Sequence, residues 1–207
     1  MPITLKNIGK RYNREWIFRG VEFAFAENEP CVLLGANGSG KSTLLQVIAG
    51  AYLPSEGTVE YILRGQNVAA EEAYRGVSIA APYLELMEEF TLAESVRFHG
   101  RFKNWRGGLN DANVIDRSGL AHAKDKSLKH FSSGMKQRVR LLLAILSDTP
   151  MLLLDEPCSN LDANGMRWYQ ELVEEHKPDR IVIVCSNKQE QEYAFCRQQL
   201  LVENYKR

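Results

Sequence analysis

The chain has 207 residues, 44% hydrophobic and 25% charged, enough to bury one sizeable core with a small subdomain attached. Lys plus Arg equals Asp plus Glu at 26 each, so no net field draws nucleic acid or an anionic membrane surface, and no nucleic-acid partner is expected. No stretch approaches the ~20 apolar residues of a membrane span, the N-terminus lacks the apolar core of a signal peptide, and Cys31, Cys158, Cys185 and Cys196 form no Cys-x-x-Cys pair; a cytoplasmic protein without a metal-binding cysteine cluster or structural disulfide is expected.

Ile3 and Leu5, then Val21, Phe23 and Phe25, alternate with mostly polar neighbours and predict an antiparallel sheet at the start of the chain. The run Cys31-Val32-Leu33-Leu34 reads as a buried strand, and Leu44, Leu45, Val47 and Ile48 as the inner face of a helix. Between them stands Gly35-Ala36-Asn37-Gly38-Ser39-Gly40-Lys41-Ser42-Thr43, a glycine-rich strand-to-helix turn. Its glycines let successive N–H groups converge on phosphate oxygens, and the helix N-terminus adds partial positive charge. Lys41 reaches the β- and γ-phosphates, and Ser42 ligands Mg²⁺. By average residue frequencies the pattern arises by chance in roughly one percent of chains this long, so a nucleoside triphosphate is the expected ligand.

After this helix, residues 53–57 read as a turn, 58–63 as a strand and 77–81 as another short strand. From about 83 to 128 the pattern becomes helical, with Thr91 and Glu94 spaced as a capping box before Val96 and Phe98. Arg106-Gly107-Gly108 interrupts that pattern, residues 114–119 resume it, and residues 131–146 form a further helix with Val139, Leu142, Leu143 and Leu146 on one face. Apolar runs at 151–154 and 181–184 then read as parallel strands covered on both faces, separated by a helix over about 163–176.

The first of these runs continues into Asp155-Glu156, two carboxylates at the end of a buried strand, where an open α/β sheet presents its ligand-binding groups. Asp155 is suited to hold Mg²⁺, and Glu156, one residue on, to orient or deprotonate the water that attacks the γ-phosphate. Upstream, Phe131-Ser132-Ser133-Gly134-Met135-Lys136-Gln137-Arg138 places a serine and glycine turn directly before a helix, which serves either as a plain N-cap or as a second anion site.

The phosphate loop, the Ser-Ser-Gly-Met-Lys-Gln-Arg segment, Leu-Leu-Leu-Asp-Glu-Pro and Ser159-Asn160-Leu161-Asp162 follow one another in the order found in ABC-type ATPases. The chain resembles one such nucleotide-binding domain from Leu5 to about Tyr193. The resemblance implies a single α/β domain over 1–207 with a P-loop NTPase fold: a RecA-like parallel sheet core, an N-terminal antiparallel β subdomain and a small inserted α-helical subdomain over roughly 83–146. It further implies ATP and Mg²⁺ bound in a sandwich between two such domains, a homodimer or a heterodimer with another ABC ATPase subunit. In that sandwich Ser132, Ser133 and Gly134 meet the γ-phosphate held by the other subunit's Lys41, and Asp162 sits in the loop that crosses to the opposite site. Tyr12, 29 residues before Lys41, takes the place of the aromatic that stacks on adenine. The implied partner is a separate integral membrane permease that docks near residues 83–90, with this chain peripheral on the inner face of the cell membrane. The short helical insertion is similar to small export-type subunits such as heme-exporter ATPases.

Two positions depart from the family. Ungapped alignment puts Pro82, which has no side-chain donor or acceptor, where the family has the glutamine that helps bind Mg²⁺ and water. Ser186, followed by Asn187, stands where the family has the γ-phosphate histidine, and neither supplies imidazole chemistry. His99, His122, His130 and His176 lie far from that strand end and read as surface or packing residues. Slow hydrolysis is therefore expected. A regulatory module with little or no turnover, and a soluble ABC ATPase unconnected with transport, are the alternative functions.

Overall fold

The alternation of Ile3 and Leu5 with polar neighbours belongs to β1 (Pro2–Tyr12), which pairs antiparallel with β2 (Glu15–Ala26). The structure, a computed structural model, describes residues 2–206. The chain continues through β3 (Cys31–Leu34) and α1 (Lys41–Ile48) to β4 (Glu56–Leu63) and β5 (Gln66–Val68), which complete an antiparallel sheet in the order β2-β1-β4-β5. β6 (Val77–Ala80) is followed by α2 (Leu92–Gly100), α3 (Asp111–Arg117) and α4 (Ser133–Leu146), and then by β7 (Met151–Asp155) and α5 (Ala163–His176). β8 (Ile181–Ser186), α6 (Glu190–Tyr193) and β9 (Gln198–Leu201) close the order.

β6-β7-β8-β3-β9 form an all-parallel sheet, and its apolar strands feed two cores at once. Successive side chains point to opposite faces. Val32, Leu34, Leu152, Leu154, Val182 and Val184 pack against α2, α3, α4 and α5 on one side. Cys31, Leu33, Met151, Leu153, Ile181 and Ile183 pack against α1 and the antiparallel sheet on the other. Continuous apolar runs, with no polar alternation, are what this two-sided burial requires.

The helical region differs from the sequence pattern at its start. Residues 83–90 hold no helix: turns close from Leu84 N to the Ala81 carbonyl and from Phe90 N to the Met87 carbonyl. Their large apolar residues lack a common buried face, Leu86 and Phe90 being half-buried and the rest exposed, so nothing offsets the cost of nucleating a helix. Helix begins at the predicted capping box, where Thr91 accepts from Glu94 N–H and Glu94 accepts from Thr91 N–H. α4 likewise starts two residues later than expected, because Ser132 is its N-cap and Phe131 is extended and buried in the core.

All five parallel strands point the same way, so the segments after Leu34, Ala80, Asp155 and Ser186 emerge along one edge. Leu34 is opposite Ser186 and Asp155 opposite Cys185. The phosphate loop, the acidic pair and the end of β8 are neighbours through this register.

Candidate functional site

The turn after β3 is shaped by its glycines. Gly40 caps α1 at φ 99°, and a Cβ there would stand 2.6 Å from Ile17 Cγ2, so no other residue fits. Gly38 is also left-handed, at φ 77°, with open space where a side chain would project. Lys41 is buried, and its Nζ donates to the carbonyls of Gly35 at 2.8 Å and Ala36 at 3.1 Å. No carboxylate lies within ion-pair distance of it among the described residues. A buried ammonium whose partners are neutral carbonyls, at a helix N-terminus, is a site for an anion. Asn37, Gly38, Gly40, Lys41, Ser42, Thr43, Glu156 and Ile17 line one cleft of about 370 Å³.

Asp155 is 2% exposed at the end of β7, and its Oδ1 has no hydrogen-bond partner. Burial raises its pKa above the ordinary carboxylate value; the Ser42 hydrogen bond opposes the rise, Glu156 adds to it and Lys41 reduces it. Ser39 Oγ, inside the loop, is a second buried polar atom without a partner. Two buried oxygens without hydrogen-bond partners, Ser39 Oγ and Asp155 Oδ1, mark a site built for polar groups from outside the chain. Glu156 adopts φ 43°, strained for a side chain of its size, and its N–H donates to the Cys185 carbonyl at 3.0 Å.

Ser132, Ser133 and Gly134 assemble a second, separate cleft. Ser132 Oγ accepts from Met135 N–H at 3.2 Å, and Asp162 caps α5 by accepting from Gly165 N–H at 2.7 Å. Leu120, Ser132, Ser133, Gly134, Met135, Arg138, Asn160, Leu161 and Asp162 line about 350 Å³. This cleft and the loop cleft share no lining residue.

Tyr12 lies at the hairpin end opposite Glu15, 47% exposed, with Lys10 Nζ 5.4 Å from its ring. It does not line the loop cleft. Ile17, on the facing strand, does. Ser186 is buried and accepts from Gln189 N–H at 3.1 Å, Asn187 follows it half-buried, and Pro82 is exposed. His99 Nε2 lies 2.8 Å from Ser147 Oγ with its ring stacked on Trp105, and burial lowers its pKa to about 4. The described cysteines are free.

Three residues around the site were not legible in the sequence. Ile17 seals the loop at Gly40. Gln137, buried in α4, donates from Nε2 to the Pro157 carbonyl at 3.0 Å. Glu203, near the C-terminus, accepts the Ala36 N–H at 2.6 Å. Ile17 carries an apolar signal like its neighbours, whereas Gln137 and Glu203 stand in polar contexts that point nowhere until the chain is folded.

A family model described as ABC transporter matches residues 18–159. The cytochrome c biogenesis ATP-binding export protein CcmA of Rhizobium etli is 31% identical over 194 residues, covering 91% of this chain and 89% of that protein. The zinc import ATP-binding protein ZnuC of Rhizobium johnstonii is 32% identical over 166 residues, 79% of this chain and 50% of that protein. Among solved structures, a dimeric bacterial ABC transporter cassette superposes with a TM-score of 0.78 at 23% identity, covering 97% of this chain and 95% of that one.

Proposed function

This chain belongs to the ABC transporter family of ATPases, and from that premise we propose that it binds and hydrolyses Mg-ATP as one half of a pair, driving transport through a separate membrane subunit. The observation that carries this reading is the separation of the two clefts. One holds the phosphate loop and Glu156, the other Ser132, Ser133, Gly134 and Asp162. A single copy cannot close both around one nucleotide; two copies, each offering one cleft to the other, can.

In this reading Lys41, Ser39 and the N–H groups of residues 38–43 hold the phosphates, with Gly35 and Asn37 shaping the loop. Tyr12 stacks on the adenine. Ser42 and Asp155 are the residues that fit Mg²⁺, since Asp155 Oδ1 is buried without a partner and Ser42 lines the same cleft as Glu156, the residue after Asp155. Mg²⁺ held by these residues would supply charge neutralisation of the phosphates. Glu156 orients the attacking water and takes its proton as the water oxygen bonds to the γ-phosphorus and the bond to the β-phosphate oxygen breaks, releasing ADP and phosphate. Ser186 and Asn187 are left as hydrogen-bond partners of the γ-phosphate, and residues 1–207 act as one nucleotide-binding domain with a helical insertion over roughly 83–146.

No helix among the described residues is long and apolar enough to cross a membrane. A peripheral position on the inner face of the membrane, beside a permease, is supported by exposed aromatic and aliphatic groups around residues 83–102. Phe102 is 71% exposed and Met87 51%, and Phe98 stacks between Phe90 and Phe102 at 5.5 and 5.1 Å. Exposed apolar side chains clustered in this way mark an interaction surface.

The test is dimerisation. The Glu156→Gln variant is expected to form a Mg-ATP-dependent dimer on size exclusion, and a strict monomer at saturating ATP would contradict the paired mechanism. Pro82 and Ser186 favour a second reading, a regulatory nucleotide-binding module. Turnover of Mg-ATP by the unmodified chain, absent in Glu156→Gln, excludes it.

A further inference from the structure

Glu192 has no part in the function proposed above, yet it is 1% exposed and its carboxyl meets the segment that follows Glu156. Oε1 accepts the Cys158 N–H at 3.2 Å. The Glu192 backbone carbonyl accepts the Tyr169 hydroxyl at 2.8 Å, which fixes α6 against α5. Oε2 is buried and has no hydrogen-bond partner of ordinary geometry. Burial raises the pKa of this carboxyl, with the Ser186 hydroxyl and the Cys158 N–H opposing the rise, and it feels both Glu156 and Asp155. Burying a carboxyl is costly, and an apolar side chain would fill the same volume without that cost. Packing alone therefore does not account for it.

Glu156 needs external support, because φ 43° is a strained conformation for it. Its own N–H is held by the Cys185 carbonyl of β8, the Pro157 carbonyl by Gln137 of α4, and the Cys158 N–H by Glu192. The last bond joins the Glu156 segment to α6, which follows the turn held by Ser186 and Gln189 at the end of β8.

We infer that Glu192 is a positioning residue for ATP hydrolysis, tying the chain after Glu156 to α6 so that the Glu156 carboxylate stays aimed into the nucleotide cleft. The inference rests on the assignment of Glu156 as the base.

Steady-state hydrolysis and binding of a fluorescent ATP analogue by the full chain test it. Glu192→Gln keeps an acceptor for the Cys158 N–H and is expected to hold kcat within about threefold of the unmodified chain. Glu192→Ala and the volume-preserving Glu192→Leu remove the acceptor; kcat should fall about tenfold or more with KM and nucleotide affinity changed less than about twofold. Full turnover in Ala and Leu, equal losses in Gln and Ala, or kcat and affinity falling together would overturn it. Tyr169→Phe, which loosens α6 without touching the carboxyl, decides the matter if neither variant folds: kcat falls at constant KM if Glu192 positions Glu156, and an unchanged kcat overturns it. An unmodified chain without turnover defeats the parent reading and this one together, whereas turnover persisting in Glu192→Ala defeats this one alone.

Discussion

Gly134 faces the backbone carbonyl of Asn160 so closely that a Cβ added to it would stand 2.7 Å from that oxygen. Asn160 is itself left-handed, at φ 63°, and its position two residues before Asp162 leaves the first turn of α4 and the segment leading into α5 interlocked. Gly134→Ala must push this segment away. Because the loop cleft is separate, ATP affinity should stay within about twofold while turnover falls about 10²-fold, the scale of losing one preorganised group. Equilibrium binding and steady-state hydrolysis on the same preparation check this. An equal loss in both would mean that the two clefts are not independent.

Lys41 makes its two hydrogen bonds to carbonyls of its own loop, and each carbonyl remains in a Lys41→Ala chain. The fold should therefore survive, with far-ultraviolet circular dichroism unchanged. A charge-assisted hydrogen bond to phosphate is worth about 1.5–3 kcal/mol, so ATP affinity should weaken by about one to two orders of magnitude. Titration calorimetry at fixed salt reads the difference.

Most of the parallel sheet was legible in the sequence because burial on both faces leaves unbroken apolar runs, as at Met151–Asp155 and Ile181–Ser186. The helix over Ala163–His176 was legible from its place between two buried strands, whereas its cap, Asp162, was read only as part of the crossing loop. β5 and β9 were not: they are three and four residues long, at sheet edges, with little apolar pattern. Residues 83–90 misled because helical spacing of large apolar groups says nothing about whether a core lies opposite them. The phosphate loop and acidic pair are local motifs, so spacing alone reveals them. Gln137, Glu192 and Glu203 reach the site from 20, 34 and 167 residues away along the chain, and their partners are backbone groups with no sequence signature.

His99 gives the stability of the chain a defined pH dependence. Burial, with Lys103 nearby, lowers its pKa to about 4 from 6.5. The unfolded chain therefore binds more protons than the folded one between these values, so the contribution to stability is present above pH 6.5 and is lost as pH falls toward 4. Discounted for the ring's partial exposure, the loss between pH 7 and 5 is about 1 kcal/mol. In His99→Gln, urea denaturation at the two pH values should show a drop smaller than that of the unmodified chain by this amount. Equal drops would assign the acid sensitivity to other groups.

Phe98 and Phe102 belong to α2 and the turn that follows it, and together with Phe90 they form an edge-to-face aromatic stack on the surface. Phe102 is 71% exposed and Phe98 39%, so neither ring supports much of the core, which α2 reaches through Leu92 and Val96. Replacing both with serine should leave the melting temperature nearly unchanged, since exposed substitutions of this kind fall within about 0.5 kcal/mol. Hydrolysis by the isolated chain should also be unchanged, because neither residue lines the nucleotide cleft. A buried interface patch behaves otherwise, as aromatic anchors commonly carry about 2 kcal/mol or more each. Affinity capture from detergent-solubilised membranes should recover an integral membrane chain with the unmodified protein and lose it with the double variant. Retention of that chain by the double variant would move the docking surface away from α2.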